Sequence, residues 1–329
     1  MTTPLTGTDV ILSDLDGVIY AGEKAIPGAV DALNKAAKTV RLAYLTNNAS
    51  RTTESVAEHL RSLGLAAESA DVISSPQAAV RLLATLVPKG AKILVVGGDG
   101  LTTELTAAGF KVTRSALDKP AAVIQGFAPT VGWTDLAEAS FALHEGIPWV
   151  ATNTDWTIPV ARGIAPGNGT LVSAVHLAVG RLPVFAGKPE RAMFDLAKEK
   201  FAANSPLVIG DRLDTDIAGA NRAEMRSALV LTGIDGPKQV LAAPPEQQPT
   251  YILGSLKELD KPYPETKFET TGETTAATVG KSVVTMTGHV VRVKKRGSNK
   301  LDLLRAGAAA IYNSGLRIYG LDVDPTVYS

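Results

Sequence analysis

Val10-Ile11-Leu12-Ser13-Asp14-Leu15-Asp16-Gly17 is a short apolar run that ends on two carboxylates and a glycine. A run of this length, stopped by a turn signal, reads as a strand buried on both faces. The two acids are separated by one apolar residue, and the glycine behind them lets the backbone turn tightly. That spacing can aim both acids at one reacting atom. An ionised Asp14 could attack an electrophile, while Asp16 protonates the leaving oxygen and later activates water. Neighbouring acids also attract a hard cation. An acidic turn that merely caps a strand end accounts for the spacing as well.

Working outward, short apolar runs alternate with amphipathic helical stretches, the pattern of parallel sheets with crossover helices. Val40 to Leu45 reads as the next strand, and Ser50 or Thr52 can cap the helix whose apolar face carries Val56, Leu60 and Leu63. From about Gly90 the alternation starts afresh through strands at Ile93 to Val96, Lys111 to Arg114, Ala121 to Gln125 and Pro148 to Thr152, which predicts an inserted domain. After a helix over Thr170 to Val179, strands at Pro183 to Ala186, Pro206 to Ile209 and Ser227 to Leu231 are expected to complete the first sheet. Lys261 to Gly280, rich in Thr, Glu and Pro, reads as a linker. Beyond it, a strand over Val283 to Val293, a helix over Leu301 to Asn313 and a returning strand over Leu316 to Val323 predict a small α+β unit that packs on the rest.

Open α/β sheets bind ligands at the carboxyl ends of their strands, and three more ends carry polar chemistry. Thr46-Asn47-Asn48 offers a hydroxyl and amide donors that could hold a phosphoryl oxygen, or could close a turn on its own backbone. Gly187-Lys188-Pro189 places a lysine just ahead of a helix amino terminus, with the proline expected in its first turn. Gly210-Asp211-Arg212-Leu213-Asp214-Thr215-Asp216 brings three acids in front of a helix over Ile217 to Asn221, where Asp211 with Asp14 would suit magnesium. Asp214 is the one of the three that reads equally as a helix cap. Gly97-Gly98-Asp99-Gly100 is an incomplete nucleotide fingerprint and reads as a tight turn.

Composition narrows the partners. Thirty-three basic and 33 acidic residues balance, with no long Lys or Arg run, so the footprint of a nucleic-acid or anionic-membrane binder is missing and a small molecule is favoured. The absence of cysteine removes disulfides, thiolate metal sites and cysteine nucleophiles. Met1-Thr2-Thr3-Pro4 carries no positive charge before an apolar stretch, and no run reaches the roughly 20 apolar residues of a membrane helix, so the expectation is a cytoplasmic protein. A length of 329 residues predicts two or three domains.

Together, Asp14-Leu15-Asp16-Gly17-Val18-Ile19-Tyr20, Thr46-Asn47-Asn48, Gly187-Lys188-Pro189 and Gly210 to Asp216 resemble the four ordered motifs of the haloacid dehalogenase superfamily of phosphatases, over roughly the first 260 residues. The resemblance implies a Rossmann-like parallel-sheet core (1–88 and 182–260), an inserted α/β cap of type II, as in NagD-like members (89–181), and the C-terminal appendage (261–329). It implies that Asp14 forms an aspartyl-phosphate, Asp16 is general acid and base, and Thr46, Asn47 and Lys188 bind the phosphoryl group. Asp211 would join Asp14 and the Asp16 carbonyl around Mg2+, with Asp216 supporting. In the cap, Asn153-Thr154-Asp155 with Pro166-Gly167-Asn168-Gly169 is the candidate for selecting the leaving group, through Asn153, Asp155 and Asn168. The whole chain resembles actinobacterial glycerol-3-phosphate phosphatases, which have a similar appendage. Here the appendage faintly resembles half an acetyltransferase fold without its pyrophosphate loop, so a packing or oligomerisation role is expected. The alternatives are another small phosphorylated metabolite (a sugar phosphate, phosphoglycolate, a nucleotide or pyridoxal phosphate), a dehalogenase or phosphomutase on the same core, and a protein that binds phosphate without turnover.

Overall fold

The computed structural model describes residues 2–160 and 162–329, except for the side chain at 159. Contacts divide the chain into two compact units, Met1–Leu42 with Ala203–Ser329, and Ala43–Ala202. Among the described residues, no helix is long and apolar enough to cross a membrane.

In the first unit the strands Tyr251–Leu253, Arg226–Val230, Leu207–Gly210 and Val10–Ser13 lie side by side in that order, all parallel. Val10–Ser13 and Leu207–Gly210 are buried along their whole length, as parallel strands covered on both faces must be. Their register pairs Ile11 with Leu207 and Ser13 with Ile209, so both strands end at the same level.

The C-terminal stretch is the expected α+β unit, but Lys261 to Gly280 is not a linker ahead of it. Thr266–Thr271, Thr274–Val279, Ser282–Thr287 and Val290–Lys295 form an antiparallel meander. Each of its two-residue turns starts on a glycine of positive φ, at Gly272 (φ 59), Gly280 (φ 56) and Gly288 (φ 55), as tight hairpins require. The composition that reads as a linker is that of exposed strands whose outward residues are Thr and Glu; Ala277 and Val279 face inward and are buried. Gly288 breaks the expected strand over Val283 to Val293 into two, and the expected return over Leu316 to Val323 is a strand only at Asp322–Val323.

The helix Lys300–Ser314 covers this meander. Leu303, Leu304, Ile311, Val284 and Met286 join Leu213, Ile217, Leu229, Val240 and Ile252 in one apolar cluster. Arg305 crosses that junction. Its guanidinium donates to the Ile252 carbonyl (2.6 and 2.9 Å), to Asp302 (3.0 Å) and to Glu258 (2.9 Å), and lies 4.5 Å from the Tyr263 ring centre. The side chain is only 6% exposed. Truncating one partner of a buried ionic network leaves uncompensated charge. Arg305→Ala is therefore expected to lower stability by about 3 to 5 kcal/mol, read as a lower midpoint in urea denaturation.

In the second unit Tyr44, Leu45 and Thr46 pair in parallel with Val72, Ile73 and Ser74. Thr52 caps the helix Thr53–Ser62 by accepting the Ser55 amide (3.2 Å). A five-stranded parallel sheet has the order Val184–Phe185, Trp149–Ala151, Ala122–Gln125, Lys92–Val96, Lys111–Thr113. The strand expected at Pro183 to Ala186 thus edges this sheet and does not complete the first. Val184 pairs with Val150, because the short link after the helix Asn168–Val179 reaches only the adjoining strand.

Candidate active site

Asp14 follows directly on Ser13, and its amide donates to the Ile209 carbonyl at 2.8 Å. The parallel register therefore puts Asp14 level with Gly210-Asp211 at the carboxyl edge of the sheet. Carboxylate oxygens of Asp14, Asp211 and Asp216 lie within 4.8 Å of one another. Asp211 (2% exposed) and Asp216 (1%) are buried, and Asp14 is half-buried.

Asp216 reaches this group because the chain bends back on itself. Leu213–Ile217 forms a single π turn ahead of the helix Ala218–Arg222, a geometry common at functional sites. Asp216 Oδ2 accepts the Arg212 amide (3.2 Å), and a Cβ on Gly210 would stand 2.1 Å from the Asp216 Cβ. Asp214, read from sequence as a possible cap, instead pairs with the Arg212 guanidinium (2.8 and 3.0 Å).

Three acids this close need compensating positive charge. Their donor atoms are all oxygen, the set that a hard divalent cation takes, so the residues present fit magnesium. The Asp16 side chain is exposed and is not in this group, so the third carboxylate is that of Asp216. Gly17 turns the chain (φ 79), and a Cβ there would meet Asp211 Oδ2 at 2.3 Å.

Sequence reasoning missed residues 232–235. The Ile234 amide donates to Asp211 Oδ2 (2.7 Å) and the Asp235 amide to the Asp211 carbonyl (3.1 Å). Asp235 Oδ2 accepts the Leu213 amide (2.6 Å), and the Thr232 hydroxyl donates to the Gly17 carbonyl (2.7 Å). Burial pushes the Asp235 carboxyl above the usual carboxylate range; the Leu213 amide opposes this, Asp214 and Asp216 add to it, and Arg212 counters it. A signal is present in the sequence: Thr232-Gly233 follows the expected strand over Ser227 to Leu231, one more strand end with a hydroxyl and a glycine.

In the second unit, Asn47, Asn153, Asp155, Asn168 and Lys188 form one hydrogen-bonded group. Asn47 Oδ1 accepts the Lys188 amide (2.9 Å), and its Nδ2 donates to the Lys188 carbonyl (3.1 Å) and to Asp155 Oδ2 (3.4 Å). The Asn47 side chain thus holds the backbone of Lys188, whose own side chain is buried. The Asn47 carbonyl accepts from the Ser75 hydroxyl (2.7 Å) and Asn153 Nδ2 (2.8 Å). Asn153 Oδ1 accepts the Asp155 amide (3.2 Å), and Asn168 Nδ2 donates to the Asn153 carbonyl (2.9 Å).

The amides of Asn153 and Asn168 therefore shape the 153–155 loop, and both residues are buried. Asn168 is the first residue of its helix and not part of the expected loop. Thr46 Oγ1 accepts the Asn48 amide (3.1 Å), which keeps its proton for donation. Pro189 follows a cis peptide bond and precedes the helix Arg191–Lys200, so it is not in that helix's first turn.

A family model described as haloacid dehalogenase-like hydrolase matches residues 11–111, and a second, described as HAD-hydrolase-like, matches residues 185–259. The chain is 44% identical over 251 residues to D-glycerol 3-phosphate phosphatase of Mycobacterium tuberculosis, covering 76% of this chain and 70% of that protein. It is 38% identical over 260 residues to glycerol-3-phosphate phosphatase of Gallus gallus, covering 72% of this chain and 83% of that protein. Among solved structures, the glycerol phosphate phosphatase of Mycobacterium tuberculosis in complex with magnesium superimposes with a TM-score of 0.84 at 38% identity, over 95% of this chain and 93% of that one. The 4-nitrophenylphosphatase of Thermotoga maritima does so with a TM-score of 0.73 at 27% identity, over 79% of this chain and 99% of that one. With its motifs on the strand ends and its acids gathered at one sheet edge, the chain belongs to the haloacid dehalogenase-like hydrolase family.

Proposed function

We propose that this hydrolase is a magnesium-dependent phosphatase of glycerol 3-phosphate that works through an aspartyl-phosphate on Asp14. The observation that carries the reading is the group of Asp14, Asp211 and Asp216 at the ends of two parallel strands. The magnesium complex and the glycerol phosphate phosphatases among its relatives support the metal and the substrate. A divalent cation held by these acids would offset the repulsion between an anionic nucleophile and an anionic phosphoryl group.

In this reading Asp14 attacks phosphorus in line, and Asp16, exposed and outside the acid group, protonates the departing alkoxide. Asp16 then takes a proton from the water that opens the acyl-phosphate. Lys188 and the Thr46 hydroxyl hold phosphoryl oxygens, and Asn47 contributes by positioning Lys188. Residues 1–88 and 187–260 act as the catalytic core, since Val184–Phe185 edges the other sheet. Residues 89–186 act as a cap that selects the leaving group, with Asn153, Asp155 and Asn168 shaping the selecting loop.

The test is phosphate release, with magnesium and with a chelator, from glycerol 3-phosphate, phosphoglycolate, sugar phosphates, nucleotides and pyridoxal phosphate. Glycerol 3-phosphate is expected to exceed the others in kcat/KM by at least about tenfold, a difference of about 1.4 kcal/mol in transition-state binding. Chelation is expected to abolish release. Equal rates across the panel would remove the substrate assignment, and full activity without a divalent cation would remove the mechanism.

A further inference from the structure

Residues 232–235 make no part of the mechanism above, yet each of the four touches one of the two segments that carry its acids. Thr232 binds the Gly17 carbonyl, Ile234 binds Asp211 Oδ2, and Asp235 binds the Asp211 carbonyl and the Leu213 amide. Gly233 lies flat against Asp211, where a Cβ would stand 1.9 Å from Oδ2. Gly17 approaches the same oxygen from the other segment, and its own missing Cβ would be 3.1 Å from the Gly233 Cα. Two glycines from different loops thus close on one carboxylate oxygen, and a side chain on either would displace it.

We propose that residues 232–235 are a clamp that sets the affinity of the acid group for a divalent cation and its preference for magnesium over calcium. The inference rests on reading Asp14, Asp211 and Asp216 as a cation site. A charge-assisted bond from a backbone N–H is strong and directional, so the Ile234 amide holds the Asp211 carboxylate in place through Oδ2. The Thr232 bond to Gly17 joins that carboxylate to the turn that follows Asp14 and Asp16. Magnesium demands near-ideal octahedral geometry, whereas calcium accepts a wider range of ligand number and distance. Rigidity around Asp211 therefore favours the smaller ion, and loosening it costs magnesium more than calcium. Groups that orient metal ligands are typically worth about 10- to 100-fold in metal affinity.

The experiment is calorimetric titration of the full chain, stripped of metal and without any phosphoester, with Mg2+ and separately with Ca2+. Thr232→Val removes the hydroxyl at nearly constant volume. It is expected to weaken Mg2+ binding by about tenfold and Ca2+ binding by less than about threefold. Thr232→Ser, which keeps the hydroxyl, is expected to stay within about twofold of the wild type for both ions. Gly233→Ala is expected to follow Thr232→Val with a larger loss; if it does not fold, the Thr232 pair decides. Mg2+ binding by Thr232→Val within about twofold of the wild type overturns the clamp, and so does an equal loss for both ions. A wild-type protein that binds Mg2+ but releases no phosphate overturns the hydrolase reading and leaves the clamp standing. Failure of the wild type to bind Mg2+ overturns both.

Discussion

Asp14→Asn is expected to reduce phosphate release by at least about 10⁴-fold, because a neutral amide is a poor nucleophile toward phosphorus and no second carboxylate can take its place. Asp211 and Asp216 share its acid group, but both are buried, and Asp211 is held through Oδ2 by the Ile234 amide. Neither can swing out to act as a substitute nucleophile without breaking backbone bonds. The substitution is nearly isosteric, and the Asp14 amide bond to Ile209 is a backbone contact that it leaves in place. The variant should therefore fold with an unfolding midpoint close to that of the wild type while losing turnover on every phosphoester. Phosphate release measured with the variant's circular dichroism checks both halves. Near-normal turnover in a folded Asp14→Asn protein would falsify the covalent mechanism.

Asp16→Asn should behave differently, and the difference is informative. Loss of a general acid costs about 10²- to 10⁴-fold where the leaving oxygen needs a proton, as an alkoxide does. A 4-nitrophenolate departs without that help. With 4-nitrophenyl phosphate the first step should then survive, whereas hydrolysis of the aspartyl-phosphate, which needs Asp16 as base, stays slow. The expected result is a burst of about one equivalent of nitrophenol followed by a slow steady state, while glycerol 3-phosphate shows a deep loss without a burst. Rapid-quench measurement of the two substrates separates the roles. Equal losses on both, with no burst, would assign Asp16 to positioning only.

Some of this was readable as local pattern. The apolar runs ending in Asp14, Thr46 and Gly210 are strands because strands buried on both faces consist of such runs, and each run carries its own stop signal. The errors fall where the pattern depends on surroundings. Lys261 to Gly280 reads as a linker because exposed strands have few large apolar residues, although Gly272, Gly280 and Gly288 recur at the interval of a hairpin repeat. Val184–Phe185 was recognisable as a strand, but two residues say nothing about which sheet they join; a short link from the preceding helix decides that.

The sequence by itself determined which residue types stand at which strand ends, and with them the family, because a motif is a matter of spacing along one chain. Tertiary structure alone decided the company those residues keep. The in-register pairing of Ser13 with Ile209 sets Asp14 beside Asp211, a π turn brings in Asp216 where the side chain of Asp16 stays out, and a segment beginning at Thr232 grips Asp211. The physical reason is that carboxylate geometry is set by backbone hydrogen bonds and close glycine contacts between segments 23 to 215 residues apart, and neither leaves a trace in local spacing.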